Sequence, residues 1–250
     1  MTTAIITMAG FGRRFLDAGY TVPKYRIDVH GRSLFGWSML SLKSFIDAGA
    51  HFIFVVRAAD EAADFIAREA EAIGIASHVV IEIDAPTDGQ ATTAMLARPA
   101  VARPDDAMLI YNIDTFVHPD ALPADGPRGD GWIPCFPAEG DHWSFAAADA
   151  EGRVSELREK VRISDHATIG LYWFSSFTLY ADAYDRYYAD PARLEKGERY
   201  VAPVYNDLLE QGLPVFVHDV PLDAVIPLGV PADVDAFRAA APPPEHLSAR

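Results

Sequence analysis

An apolar run over residues 4–8 ends in the turn Gly10-Phe11-Gly12-Arg13-Arg14. The run predicts a buried β-strand. The two glycines allow a tight turn and let backbone N–H groups come close to a ligand. N–H groups so arranged form an anion-binding concavity. Arg14 and, further on, Lys24 of Pro23-Lys24 add fixed positive charge at the same strand end. The chemistry these residues suggest is a grip on a nucleoside triphosphate. A glycine turn after a first strand is also common in α/β proteins at large. Position 15 is Phe15, so the third glycine of the dinucleotide fingerprint is missing, and no Gly-Lys-Ser/Thr ending follows.

Charge sharpens this reading. The formal net charge is −15, which argues against nucleic acid or an anionic membrane as partner. Residues 1–33 carry Arg13, Arg14, Lys24, Arg26 and Arg32 against Asp17 and Asp28. That segment is therefore +3 and the remainder −18. A small basic island on an acidic protein suits a small anionic ligand.

Downstream, strands and helices alternate. Helices are predicted over residues 33–45 (Ser33 as N-cap), 60–73 (stopped at Gly74) and 90–97. Strands are predicted over residues 51–56, 79–83 and 108–113. This order implies a mostly parallel sheet with helices on both faces. After Pro119 the character changes to short strands over residues 133–136, 143–147 and 169–174, with a turn at Asp149-Ala150-Glu151-Gly152. Helices at 177–188, 201–211 and 231–240 and a strand at 215–220 complete the pattern. With 250 residues, half of them hydrophobic, the expectation is one domain over residues 1–241 and a mobile proline-rich tail over 242–250. Cys135 is the only cysteine, which excludes an internal disulfide and, in Ile-Pro-Cys-Phe, reads as a packed core residue. No apolar stretch is long enough to span a bilayer, and no signal peptide is recognisable, so a cytoplasmic location is expected.

In an open parallel sheet, ligands bind outside the carboxyl ends of the strands. Thr87-Asp88-Gly89-Gln90 lies at one such end and offers an amide able to read a nucleobase edge; it also reads as an ordinary helix cap. Asn112-Ile113-Asp114 lies at another. A carboxylate there suits Mg²⁺, which takes one or two carboxylates plus phosphate oxygens and water; a cap for the following turn is the alternative. Glu159 and Lys160 could meet a hydroxylated acceptor and its phosphate, or form a solvated charge run. No histidine metal motif and no nucleophile elbow occurs.

Taken together, these segments resemble the sugar-nucleotidyltransferases, also called nucleoside diphosphate sugar pyrophosphorylases. The family opening Gly-x-Gly-[Thr/Ser]-Arg with Pro-Lys downstream is matched by Gly10-Phe11-Gly12-Arg13-Arg14 and Pro23-Lys24. Met8-Ala9-Gly10, Arg14-Phe15 and Gly19-Tyr20 are similar to the bacterial branch that serves capsule and lipopolysaccharide synthesis, as is Tyr200-Val201-Ala202-Pro203-Val204-Tyr205-Asn206. The likeness runs from about residue 3 to residue 237. It implies an α/β, three-layer Rossmann-like (GT-A-like) fold with a mixed, mostly parallel central sheet. It implies transfer of a nucleoside monophosphate from an NTP to a phosphorylated acceptor with release of pyrophosphate. In that resemblance Arg14, Lys24 and Asp114 are catalytic. Ala9, Gly10, Gly12, Arg13, Gly89, Gln90 and Asn112 bind the nucleotide, and Glu159, Lys160 and Gly170 bind the acceptor. Asp114 holds Mg²⁺. Three departures stand out. Arg13 replaces a small hydroxyl residue. Tyr25-Arg26 replace Pro-Leu. Pro227 stands where a second metal aspartate is usual, which leaves Asp223 as the nearby substitute. A homo-oligomer is compatible with this reading. A nucleotide-sugar-dependent glycosyltransferase and a non-catalytic nucleotide sensor are the alternatives.

Overall fold

The computed structural model describes residues 1–244, so residues 245–250 of the expected tail lie outside the described residues. At its centre is a ten-stranded mixed sheet. In spatial order the strands are Val154–Glu159, Ser144–Ala148, Ala167–Thr168, Gly131–Phe136, Leu171–Phe174, Met108–Asn112, Thr3–Thr7, His51–Arg57 and His78–Ile83. The tenth, Val215–Asp219, pairs in parallel with Gly131–Phe136. Three strands, Val154–Glu159, Ala167–Thr168 and Leu171–Phe174, run against the other seven. The sheet is thus mixed and mostly of one direction, as the order of elements implies.

Alternation along the central strands builds two cores, because successive side chains leave a strand on opposite faces. Ala4, Ile6, Phe52, Phe54, Leu109 and Tyr111 pack with Phe35 and Met39 of helix Leu34–Leu40 and with Ile66 and Ala70 of helix Ala63–Ile73. Ile5, Ile53, Val55, Met108 and Ile110 pack on the opposite face with Ala91 and Ala94 of helix Gln90–Met95 and Tyr180 and Tyr184 of helix Phe177–Tyr187. Each large apolar side chain so buried contributes roughly 1.5–3 kcal/mol. Both faces are covered, which gives the three layers. Cys135 is a buried member of the second core, and burial pushes its thiol pKa up.

Some expected elements are divided. The helix expected over residues 33–45 is two helices, Leu34–Leu40 and Lys43–Asp47. Ser33 caps the first by accepting the Gly36 N–H at 3.0 Å. At the break, the Ser41 and Leu42 N–H groups donate to the i−3 carbonyls of Ser38 and Met39, and the buried Ser41 hydroxyl accepts the Val117 N–H. The helix expected from residue 60 starts at Ala63, after a 3-10 turn Ala58–Asp60 and Glu61 at φ 45°. Two short antiparallel pairs, Asp28–Val29 with Arg32–Ser33 and Thr115–Val117 with Val225–Pro227, have no counterpart in the pattern reading. The second pair ties the end of the chain to the Asp114 turn: the Leu228 N–H donates to the Asp114 carbonyl at 2.6 Å. Among the described residues no helix is long and apolar enough to cross a membrane.

Candidate active site

The carboxyl ends of strands Thr3–Thr7, His51–Arg57 and Met108–Asn112 open into a cleft of about 1050 Å³. The glycine turn forms one wall. Gly12 sits at φ 59°, in the left-handed region, and leads into helix Arg13–Asp17. A Cβ on Gly10 would touch nothing within 4 Å, so no protein atom requires glycine there. What the missing side chain leaves open is the approach of a ligand to the backbone. Ala9, Gly10, Gly12, Arg13 and Arg14 all line the cleft, and both arginines are exposed.

Pro23 introduces a 3-10 turn, Lys24–Arg26. Its middle residue, Tyr25, is buried in the first core, and the flanking cations serve different partners. Lys24 points into the cleft and its ammonium donates to the Asp114 carboxylate. Arg26 donates to the carbonyls of Asp60 at 2.9 Å and Glu61 at 2.7 Å. The Lys24–Asp114 pair joins residues ninety positions apart at the mouth of two neighbouring strands.

Gln90 opens helix Gln90–Met95, and its amide donates to Thr7 Oγ1 at 3.1 Å and to Asn112 Oδ1. The preceding Gly89 adopts φ 145°, and a Cβ on it would lie 2.3 Å from the Arg199 carbonyl oxygen. That loop is zipped to the Arg199 backbone by Arg199 N–H to Asp88 at 2.8 Å and Ala91 N–H to Arg199 at 3.0 Å. Gly170, at φ 84°, packs against Asn112, whose Nδ2 would meet a Cβ at 2.8 Å.

A polar network lies across the cleft. Glu159 and Ser144 are cross-strand partners, and the Ser144 hydroxyl donates to the Glu159 carboxylate. Glu159 is only 6% exposed, and burial raises its pKa above the ordinary 4.5. Lys160 follows in the left-handed region at φ 54°. Its ammonium donates to Tyr200 Oη at 2.7 Å, lies over the Tyr200 ring at 4.4 Å and pairs with Glu159 at 3.2 Å. Lys160 reaches the cleft through these partners, whereas Glu159, Gly170 and Tyr200 line it directly.

One expected position lies outside the cleft lining. Asp223 is exposed on the 3-10 turn Leu222–Ala224 and does not line the cleft. In this late segment the cleft is lined instead by Asp233, whose Oδ2 accepts the Gly229 and Val230 N–H groups at 3.1 and 3.0 Å. It is the third residue of helix Pro231–Ala239, a position where an acidic side chain turns back on the helix start. That was the sequence signal for it. Asp114 and Asp233 both approach Gly229, within 4.0 Å of where its Cβ would be. Among the described residues no group of three or more His, Cys, Asp or Glu gathers for a metal. One chain carboxylate with phosphate oxygens and water is nevertheless what magnesium commonly takes, so Asp114 fits such an ion. Phe11, Tyr25, Arg57, Asp60 and Ser144 also line the cleft, and of these Arg57, Asp60 and Ser144 carry no sequence pattern that marks a site.

No family model and no curated protein sequence matches the chain. Among solved structures it is similar to the nucleoside-diphosphate-sugar pyrophosphorylase from Vibrio cholerae RC9, at 35% identity and a TM-score of 0.88, over 95% of this chain and 100% of that one. In fold alone it is also similar to the inositol-1-phosphate CTP transferase from T. maritima, at 17% identity and a TM-score of 0.74, over 97% and 98% of the two chains.

Proposed function

The chain belongs to the nucleoside-diphosphate-sugar pyrophosphorylases, a family of nucleotidyltransferases, and from that premise we propose the following reaction and division of labour. A phosphate oxygen of a phosphorylated acceptor attacks the α-phosphorus of an NTP, the bond to the bridging oxygen breaks, and pyrophosphate leaves. The acceptor is a sugar 1-phosphate or a smaller phosphorylated metabolite, used in bacterial surface polysaccharide synthesis. No covalent enzyme intermediate is needed. The protein contributes positioning and charge stabilisation.

The observation that carries this reading is the meeting of Lys24 and Asp114 beside the glycine turn. The ammonium neutralises charge that builds on the α-phosphate in the transition state. Asp114 is the residue that would hold Mg²⁺, which would supply positive charge to the phosphate oxygens. Arg14, exposed at the cleft mouth, holds the β- and γ-phosphates. Gly89 and Gln90 read the base, with the Gln90 amide oriented by Thr7 and Asn112. Glu159, an acceptor of hydrogen bonds when ionised, takes a hydroxyl of the acceptor molecule, and Lys160 and Gly170 flank it.

The first test is thermal unfolding with ATP, CTP, GTP, UTP and dTTP, each with and without Mg²⁺. A ligand at ~100 times its dissociation constant adds about 2.7 kcal/mol. A rise in the midpoint with one triphosphate, enlarged by Mg²⁺, is the expected result. A rise with nucleotide sugars and none with any triphosphate would overturn the proposed donor.

A further inference from the structure

Arg57 closes strand His51–Arg57, next to the strand that feeds the glycine turn. Its guanidinium is gripped by Asp60, with Nε donating to Oδ2 at 3.3 Å and a terminal nitrogen to Oδ1 at 2.5 Å. Asp60 is itself fixed. Its side chain is 6% exposed, and Arg26 binds its carbonyl and that of Glu61. Tyr25, its phenol pKa pushed up to about 12 by burial and by the Asp60 charge, packs beside it.

A second contact orients Arg57. Phe11, the residue between the two glycines, is 41% exposed, so its ring is open to contact by a cation. Arg57 lies over its ring with Cζ 5.1 Å from the centroid, and Arg13 does so at 5.3 Å. Such a cation–π contact is attractive even at an exposed site, and it biases a guanidinium already held on its other side. Arg57, Phe11 and Asp60 all line the cleft that contains Arg14 and Lys24.

A surface ion pair at i,i+3 needs none of this. It requires no buried carboxylate and no aromatic plate, and such pairs are worth little. A guanidinium fixed by two partners, with donors left over, is suited to bind a phosphate by a planar, multidentate contact. We propose that Arg57, oriented by Asp60 and Phe11, is a further phosphate-contacting residue of the nucleotide site and grips the terminal phosphates of the NTP together with Arg14. The proposal rests on the NTP reading of the cleft and adds a residue to it. Asp60 is a positioning residue in this arrangement.

The test compares the wild type with Arg57→Gln and Arg57→Lys, after circular dichroism shows that each variant is folded. Binding of ATP, CTP, GTP, UTP and dTTP, and of the matching monophosphates, is measured by titration calorimetry. For the nucleotide that the wild type binds, Arg57→Gln is expected to weaken the triphosphate at least ~10-fold while the monophosphate changes less than ~2-fold. Arg57→Lys, which keeps the charge and loses the planar fork, is expected to recover part of the loss. Equal weakening of triphosphate and monophosphate, or no weakening of either, would assign Arg57 to structure alone and overturn the proposal. If the wild type binds no triphosphate, the reading of the cleft fails first, and this proposal with it.

Discussion

At the scale of single residues, the site depends on where charges are buried. Glu159 gives the clearest pH signature. Burial disfavours its ionised form, and its pKa is raised above the ordinary 4.5 although Ser144 and Lys160 pull the other way. The unfolded chain therefore releases this proton at lower pH than the folded one. Above pH 4.5 the folded state is progressively penalised, until the pH passes the folded value of Glu159. Glu159→Gln removes the titration. Its stability relative to the wild type is expected to climb from pH 4.5 upward and then level off, read as melting temperature from pH 4 to 8. A difference that stays flat over this range would show that Glu159 is not penalised by burial. The same variant is expected to weaken acceptor binding, which separates the group's two effects.

Tertiary connection explains what pattern reading misses at the level of elements. Residues 4–8 and 51–56 are legible as strands because apolar side chains must fill both faces of a parallel sheet, and Thr3–Thr7 and His51–Arg57 are where they form. Three-residue pairs such as Thr115–Val117 with Val225–Pro227 are too short to show a periodicity, and their partners lie more than a hundred positions away. Asp223 and Asp233 look alike in the sequence, both close to Gly229. Only the helix that begins at Pro231 decides between them, by turning Asp233 back onto the Gly229 and Val230 amides. The Gly89 loop makes a direct prediction at this scale. A side chain there meets the Arg199 backbone and adopts a φ of 145° that L-residues avoid. Gly89→Ala is expected to cost about 1–3 kcal/mol in stability by denaturant unfolding and to raise KM for the NTP more than for the acceptor. A variant with wild-type stability and nucleotide KM would contradict the close approach.

For the whole molecule, the sheet's topology makes the site. The glycine turn, Lys24, Gln90 and Asp114 converge because the neighbouring strands that precede them end at one edge of the sheet, and Glu159 reaches the same cleft from the oppositely directed strand Val154–Glu159 at the far side of the sheet. The motif-bearing residues among them are legible from chemistry and spacing. Arg57, Asp60 and Ser144 are not, because an arginine, an aspartate and a serine have no distinctive pattern until strand register puts Ser144 opposite Glu159 and the 3-10 turn Ala58–Asp60 folds Asp60 against Arg57. The acidic whole and the basic opening segment, −18 against +3, fit a protein that keeps positive charge for one small anionic ligand.

The most direct test of nucleotidyl transfer is acceptor-dependent pyrophosphate release. The purified protein is incubated with Mg²⁺, each of ATP, CTP, GTP, UTP and dTTP, and a panel of sugar 1-phosphates and small phosphorylated alcohols. Pyrophosphate is assayed alongside a Lys24→Ala control. One triphosphate is expected to release pyrophosphate only when an acceptor is present, with a lysine-variant rate at least ~100-fold lower, the scale of one lost transition-state charge contact. Release that is independent of acceptor, or a lysine variant that turns over at the wild-type rate, would contradict the account.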